Sequence, residues 1–336
     1  MNLTNHQFRL AARPVGMPQR SDWNYSEEPV PEPGEGKLLV KVLQISLDPA
    51  MRGWMNAMRS YVPPVGIGEV MRALGAGRVI ASKIPNFAVG DHVYGGLGVQ
   101  EYALSNGQGL SKVDTRLAPL QKYLSVLGMP GMTAYFGFLD TGAPQPGNTV
   151  VVSAASGAVG SVVGQIAKIK SCRTVGIAGG EKKCQYLTGE LGFDAAIDYK
   201  SEDVGQELRK SCPNGIDVYF DNVGGEILDA VLTQINLGAR IVICGAISQY
   251  NNTTPVRGPS NYFHLLIKRA AMKGMLVTDY VERYPQAVRE MAGWMAAGKL
   301  KSREDIVNGL QNFPEALLKL FTGENFGKLI LKVADA

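Results

Sequence analysis

The chain has 336 residues, more than a single hydrophobic core usually organises, so two domains are predicted. Hydrophobic residues make up 45% and charged residues 19%, the balance of a soluble globular protein. Lysine and arginine exceed aspartate and glutamate by 34 − 30 = 4. Because no long basic run accompanies this small excess, we expect no nucleic-acid partner.

Membrane insertion and secretion are also not predicted. No run of about 18 apolar residues suggests a membrane-spanning helix, and residues 1–14 lack the apolar core of a secretory signal. The four cysteines have neither metal-type spacing nor a disulfide framework; they are Cys172, Cys184, Cys212 and Cys244. We therefore expect a cytoplasmic protein without a metal.

The first third of the chain is predicted to be rich in β-strands. Strand-like runs occur at 37–45, 77–84 and 100–104, and turn-forming clusters such as 89–92 separate them. Helical patterns are scarce before Leu117.

From Thr149 onward, short apolar strands alternate with helical stretches. This alternation is typical of βαβ units that wind a parallel sheet, so the fold class is α/β. Mixed strand and helix follow from about Glu304, and a last strand is predicted at 327–333. We expect this tail to fold back onto the first domain. The domain boundary is predicted near Gly128.

Residues 149–170 hold the most informative motif. An apolar strand runs into Ala155, Gly157, Ala158, Val159 and Gly160, and a helix follows. In a dinucleotide-binding loop the glycines let the backbone approach a pyrophosphate, and the helix N-terminus holds its negative charge. Ala155 stands where the usual pattern has its first glycine, and an ordinary tight βα turn is the alternative interpretation.

The end of the next strand, 173–178, bears on the choice of dinucleotide. An acidic residue there would bind the adenosine ribose hydroxyls of NAD, but the chain has two glycines at 179–180, followed by Glu181, Lys182 and Lys183. Without the acid a 2′-phosphate is not repelled, and a lysine can pair with it, so NADP(H) is favoured. Alternatively, the lysines are solvated helix charges, or Glu181 reaches back to the ribose and restores a preference for NAD.

Several motifs together resemble the medium-chain dehydrogenase/reductase superfamily. They are GDHV at 90–93, GMPGMTAY at 128–135, AASGAVGS at 154–161, FDNVGG at 220–225 and NFGK at 325–328. The likeness is strongest to the zinc-free branch that contains prostaglandin, plant double-bond and curcumin reductases. It implies a GroES-like catalytic domain at 1–127 with a return at 304–336, a doubly wound Rossmann domain at 128–303, a substrate cleft between them, and a homodimer.

The resemblance also implies roles for residues that match the branch's motifs. The expected cofactor contacts are Lys183 and Tyr199 at the 2′-phosphate, Asn222 at a strand end, Cys244, Ala246 and Ser248 near the nicotinamide, Asn325 from the C-terminal return, and Met129 and Thr133 in the interdomain helix. Tyr250 matches the branch's proposed catalytic tyrosine, and Tyr61 matches an active-site tyrosine of curcumin reductases. For both tyrosines, a partly buried loop aromatic without a catalytic role is the alternative.

Zinc chemistry is not expected. A catalytic zinc needs about three protein ligands, yet the only histidines, His6, His92 and His264, are far apart in sequence. Where the zinc-dependent branch has Gly-His-Glu, this chain has Gly-Glu-Val at 68–70. His92 is interpreted as a turn or surface residue.

The leading hypothesis is NADPH-dependent reduction of a C=C bond conjugated to a carbonyl. Hydride transfer to the β-carbon puts charge on the carbonyl oxygen, and a neutral tyrosine can stabilise it as a hydrogen-bond donor. Ala50, where the branch usually has tyrosine, leaves the exact substrate open. A quinone reductase is the second hypothesis, and a non-enzymatic NADPH-binding protein is the third.

Overall fold

The computed structural model describes residues 3–335, which form two compact units. One unit runs to Leu124 and resumes at Glu304, and the other is Ser125–Arg303. The strands are β1 (Thr4–Leu10), β2 (Trp23–Pro29), β3 (Leu38–Ser46), β4 (Leu74–Ser82), β5 (His92–Gly96), β6 (Tyr102–Ser105), β7 (Ser111–Lys112), β8 (Thr149–Ser153), β9 (Arg173–Ala178), β10 (Ala195–Asp198), β11 (Ile216–Asp221), β12 (Ile235–Ile243), β13 (Ala271–Gly274), β14 (Glu304–Asn308) and β15 (Lys328–Lys332).

The helices alternate with these strands mainly in the second unit. They are α1 (Ala50–Trp54), α2 (Met129–Phe136), α3 (Gly160–Ile169), α4 (Glu181–Gly189), α5 (Val204–Ser211), α6 (Gly225–Leu232), α7 (Phe263–Lys268), α8 (Tyr284–Ala296) and α9 (Phe313–Thr322). A π-helical turn, Gly137–Thr141, extends α2. Short 3-10 turns lie at Arg20–Asp22, Leu120–Leu124, Ile247–Gln249, Val277–Arg283 and Leu310–Asn312.

The first unit is built on a seven-stranded sheet in the order β14-β15-β3-β4-β5-β7, with β6 also paired to β3. Strand β3 is buried along most of its length because its run of Leu, Val and Ile packs on both faces. The chain's return joins this sheet directly: β15 pairs antiparallel with β3 and parallel with β14. Strands β1 and β2 form a separate antiparallel hairpin.

An aromatic cluster and a buried ion pair hold the return in place. The ring of Phe313, which begins α9, lies 5.3 Å from the rings of both Phe8 and Trp23. Lys328, the first residue of β15, is 2% exposed. Its Nζ donates to the Asp48 carboxylate at 2.6 Å and to the Leu47 carbonyl at 2.7 Å, so two acceptors satisfy the buried ammonium group away from water.

The second unit has one parallel sheet in the order β10-β9-β8-β11-β12-β13. This is the strand order of a doubly wound dinucleotide-binding fold, and the predicted fold class is confirmed. Gly164 of α3 faces the ring of Phe193, which lies between α4 and β10, and a Cβ at this glycine would lie only 1.8 Å from the ring. Val163, Ile166 and Ala167 of α3 are fully buried.

Two parts of the first unit differ from the sequence-based expectation. The β1–β2 hairpin was not predicted, because the buried positions of β1 include the polar Asn5 and Gln7, which hides the apolar alternation of a strand. Asn5 is satisfied by β6: its Nδ2 donates to the Tyr102 carbonyl at 3.0 Å. The short helix α1 also lies in the region where helical patterns are scarce.

Candidate functional site

The second unit has a topological switch point between β8 and β11, which are neighbours in the sheet although β9 and β10 separate them in the chain. Ligands of such sheets bind at the carboxyl ends of the strands at this point. There the Asn222 amide donates to the Ser153 carbonyl at 2.8 Å, and its backbone N–H donates to Ser153 Oγ at 2.9 Å. Asn222 is therefore fixed beside the strand that leads into the glycine loop.

Asp221, which ends β11, organises this edge of the sheet and was not singled out from the sequence. Its Oδ1 accepts hydrogen bonds from the N–H groups of Val223 and Gly224, both at 2.9 Å. It also accepts the hydroxyls of Tyr219 at 2.8 Å and Ser153 at 3.1 Å. A carboxylate in the last position of a buried parallel strand is the sequence signal that could have identified it.

The glycine loop connects β8 to α3. The Gly157 N–H donates to the Ala154 carbonyl at 2.9 Å, and a Cβ on Gly160 would lie 2.5 Å from that same carbonyl oxygen. Only glycine fits at 160, the first residue of α3. Ala158 and Val159 are partly exposed at the start of the helix, and the positive end of a helix dipole attracts an anion. Val159 is the N-cap of α3.

The backbone at Ala155 explains why the loop has alanine where the usual pattern has its first glycine. It is fully buried, and its N–H donates to the Ile177 carbonyl at 3.0 Å. The left-handed residue of the loop is its neighbour Ala154, with a φ of 47°. Position 155 does not need the conformational freedom of glycine, so alanine is compatible with the loop.

At the end of β9, the Gly179–Gly180 turn brings Lys183 and Tyr199 into one region. The ring of Tyr199 lies against Gly179, whose Cβ, if present, would be 2.9 Å from the phenol oxygen. Lys183 lies in the first turn of α4, and its N–H donates to the Gly180 carbonyl at 3.0 Å. The Gly180 N–H in turn donates to Asp198 Oδ1 at 2.7 Å.

Asp198 is a second carboxylate that sequence reasoning did not single out, although it ends β10 as Asp221 ends β11. Burial opposes its ionisation, but hydrogen bonds from the N–H groups of Gly180 and Lys200 and from Ser201 lower the pKa of its carboxyl. The aspartate is thus held as a charged acceptor that ties the ends of β9 and β10 together.

The segment after β12 carries Cys244, Ala246, Ser248 and Tyr250, and backbone bonds hold it at the switch point. The N–H groups of Cys244 and its neighbour Gly245 donate to the Asp221 carbonyl at 2.9 and 3.1 Å. Burial, followed by the charge of Asp221, raises the pKa of the Cys244 thiol to about 12, so this thiol is neutral at pH 7.

Ser248 and Tyr250 close this segment. Ser248 Oγ donates to the Val223 carbonyl at 2.6 Å, which joins the loops after β11 and β12. The Ala246 N–H donates to the Tyr250 hydroxyl oxygen at 3.2 Å. The phenol is partly buried, and at neutral pH it is both a hydrogen-bond donor and an acceptor.

The remaining predicted residues divide between the units. In the second unit, Thr133 of α2 is buried and its hydroxyl donates to the Met129 carbonyl at 2.8 Å. In the first unit, Tyr61 is 55% exposed and accepts a bond from Trp54 Nε1 at 3.3 Å. Asn325 Nδ2 donates to the Gly327 carbonyl at 3.1 Å, and Ala50 begins α1.

Within residues 3–335, no group of three or more His, Cys, Asp or Glu side chains could hold a metal ion. His92 begins β5 and pairs with Arg78 of β4. In the same part of the chain, no helix has the length and apolar character needed to span a bilayer.

Comparisons with known proteins agree with this architecture. Residues 6–113 match the family model of the N-terminal domain of oxidoreductases, and residues 158–293 match that of zinc-binding dehydrogenases. The NADPH-dependent curcumin reductase of Escherichia coli is 44% identical, over 98% of this chain and 97% of its own length. The NADP-dependent 2-alkenal reductase of Nicotiana tabacum is 42% identical, over 99% and 98% respectively.

A solved structure is equally similar. The crystal structure of CurA in complex with NADPH, from Vibrio vulnificus, has 46% sequence identity and a TM-score of 0.94, and the match covers 98% of this chain and 100% of that chain. The chain is therefore a medium-chain dehydrogenase/reductase. Within that superfamily it belongs to the zinc-free branch of NADP-dependent oxidoreductases that includes curcumin, alkenal and prostaglandin reductases, and the predicted resemblance is confirmed.

Proposed function

We propose that this protein uses NADPH to reduce the C=C bond of α,β-unsaturated aldehydes and ketones. The observation that carries the proposal is the match, over nearly the whole chain, to reductases named for curcumin and for 2-alkenals. Both substrate classes contain an alkene conjugated to a carbonyl, and this shared group is the reactive unit that we assign.

The residues of the second unit fit NADP(H). The absent Cβ at Gly160 leaves room for the tight loop before α3, and the N-terminus of that helix suits a pyrophosphate. At the end of β9, the turn carries glycines where an NAD-binding site has an acid, and Lys183 lies on the adjoining helical turn. A lysine at this position can pair with a 2′-phosphate, and we propose that Lys183 and Tyr199 bind it.

In the proposed reaction, NADPH supplies the hydride that adds to the β-carbon. Negative charge then develops on the carbonyl oxygen of the substrate, and a hydrogen-bond donor at that oxygen lowers the barrier. We assign this role to Tyr250, whose hydroxyl oxygen is held by the Ala246 N–H at 3.2 Å. Tyr61 is proposed as a second active-site phenol, and the α-carbon receives a proton from a tyrosine or from water.

The activity is tested by following NADPH absorbance with an enone, an enal and a quinone, and by identifying the product. We expect the saturated carbonyl compound to form, and Tyr250→Phe to lower kcat about 10²–10³-fold, the usual cost of removing one such donor. Tyr262→Phe is the matched control, since Tyr262 is 64% exposed and has no assigned role. Turnover of quinones alone would instead identify a quinone reductase, and no turnover of any of the three would leave a dinucleotide-binding protein.

The choice of dinucleotide is tested with Lys183→Ala. The variant should bind NADPH about 10–100-fold more weakly, because it loses a hydrogen bond between charged groups, while NADH binding changes little. Lys182→Ala is the control, as Lys182 is the exposed neighbour on the same helix. An equal loss of affinity for NADPH and NADH would show that Lys183 does not bind the 2′-phosphate.

We further propose a cytoplasmic homodimer that forms through the second unit. Strand β13 is an edge of the parallel sheet, and the adjacent helix α7 exposes Phe263, Leu266 and Ile267 by 59%, 66% and 51%. An open strand edge beside an exposed apolar surface favours association. Light scattering should give the mass of a dimer for the parent protein and of a monomer for Leu266→Glu, with Leu117→Glu, at a residue 81% exposed in the first unit, as the control.

A further inference from the structure

The turn at the end of β9 contains a glycine whose missing side chain is filled by a tyrosine ring. A Cβ on Gly179 would lie 2.9 Å from three atoms of Tyr199, namely Cε1, Cζ and Oη. Real Cβ atoms do not approach other heavy atoms this closely, so an alanine at 179 and the present position of the ring exclude each other.

The backbone on both sides of this contact is held by hydrogen bonds. The Tyr199 N–H donates to the Ala178 carbonyl at 3.1 Å, and the Gly180 N–H donates to Asp198 Oδ1 at 2.7 Å. Strands β9 and β10 are also paired in register, with Ala178 opposite Asp198. Since the main chain is fixed, an added methyl group at 179 moves the ring and not the strands.

The ring can move without cost to the core. Tyr199 is 44% exposed, so its side chain can rotate into solvent. Gly179 does not have a left-handed φ, in contrast to Gly180 at 98°, so its backbone conformation accepts alanine. A Gly179→Ala substitution therefore displaces one phenol and leaves the surrounding fold in place.

We propose that Gly179 is a specificity-determining residue for NADPH. Its absent Cβ lets the Tyr199 phenol lie against the turn, in the region where the second strand of this fold meets the adenosine ribose. There the hydroxyl donates to the 2′-phosphate alongside Lys183, and NADH, which lacks that phosphate, gains nothing from it. The inference rests on the proposed use of NADPH.

The test compares Kd values for NADPH and NADH, measured by fluorescence titration of the full-length protein. Gly179→Ala should raise the Kd for NADPH about tenfold, the effect of losing one hydrogen bond to a charged group, and change that for NADH less than twofold. Gly189→Ala is the matched control, because this glycine lies on α4 with open space at its Cβ position and undergoes the same substitution.

A double variant separates the ring from other effects of the methyl group. Tyr199→Ala should weaken NADPH binding as much as Gly179→Ala does, and Gly179→Ala in the Tyr199→Ala background should have no further effect. If the two substitutions weaken NADPH binding additively, or if Gly179→Ala weakens NADPH and NADH binding equally, the role of Gly179 is overturned while the proposed reductase function stays intact. A parent protein that does not prefer NADPH overturns both.

Discussion

Replacing Asp221 by asparagine tests whether the carboxylate at the switch point holds the second unit together. Asp221 is 1% exposed, and its Oδ1 is the acceptor for the backbone N–H groups of Val223 and Gly224 and for two hydroxyls. Its Oδ2 is buried and has no hydrogen-bond partner in the part of the chain that the structure describes. Asparagine keeps the shape but removes the charge and places an amide donor at the Oδ2 position.

The expected decrease in the free energy of unfolding follows from these contacts. A hydrogen bond to a charged group contributes about 1.5–3 kcal/mol and a neutral one about 0.5–1.5 kcal/mol, so each of the shared bonds weakens by roughly 1 kcal/mol. A buried amide N–H₂ without an acceptor costs about 1–3 kcal/mol more, whereas removing a buried charge recovers part of the desolvation cost. We expect Asp221→Asn to lower the free energy of unfolding by about 2–4 kcal/mol.

The assay is urea-induced unfolding followed by fluorescence and circular dichroism, with the m-value checked for a change in the denatured state. Asp217→Asn is the control in the same strand, since Asp217 is only partly buried and accepts one bond from Thr149 and one from Asn236; we expect it to lose no more than about 1 kcal/mol. Asp221→Asn with a stability within about 0.5 kcal/mol of the parent protein would refute the reasoning.

Four further substitutions test the glycine loop, the N-terminal hairpin and the C-terminal return. Ala154→Gly should raise the free energy of unfolding in urea by about 0.5–1 kcal/mol, because the left-handed backbone at 154 strains alanine. Ala155→Gly should lower that free energy, and the reverse order of the two effects would contradict the strain assigned to position 154. The hydrogen bond with Glu101 raises the pKa of His6 above 6.5, so the contribution of protonated His6 to stability is complete below pH 6.5 and is lost as the pH rises through the raised pKa. His6→Gln should therefore lower the melting temperature more at about pH 5.5 than at about pH 9. An equal decrease in melting temperature at both pH values would contradict this. Lys328→Met should lower the free energy of unfolding in urea by about 3–5 kcal/mol, because the Asp48 carboxylate stays buried without a counter-ion. A decrease of less than about 1 kcal/mol would mean that water replaces the lysine.

Several features of the site could be predicted from local pattern alone. The alternation after Thr149 indicated a parallel sheet, and the strand predicted at 173–178 has the bounds observed for β9. The glycine loop follows β8, as the pattern indicated, and the motif at 220–225 lies at the carboxyl end of β11, as the resemblance implied. These predictions succeeded because each depends on residues that are close in sequence.

Other features depend on residues that are distant in sequence, and no local pattern contains them. The hydrogen bond between Ser153 and Asp221 joins residues 68 positions apart, and the ring of Tyr199 reaches Gly179 only because β10 pairs with β9. The fit of alanine at 155 follows from backbone angles that the closed loop imposes.

The amino-acid sequence by itself determined the alternation of strands and helices after Thr149, the parallel sheet of the second unit and the membership of a reductase family, because apolar periodicity and short motifs are local properties. The tertiary structure alone decided which carboxylates hold the sheet edge, which glycine admits a tyrosine ring and which lysine is buried against an aspartate. Those outcomes depend on the packing of strands far apart in the chain, where a hydrogen bond or a missing Cβ acquires its effect only after the sheet has assembled.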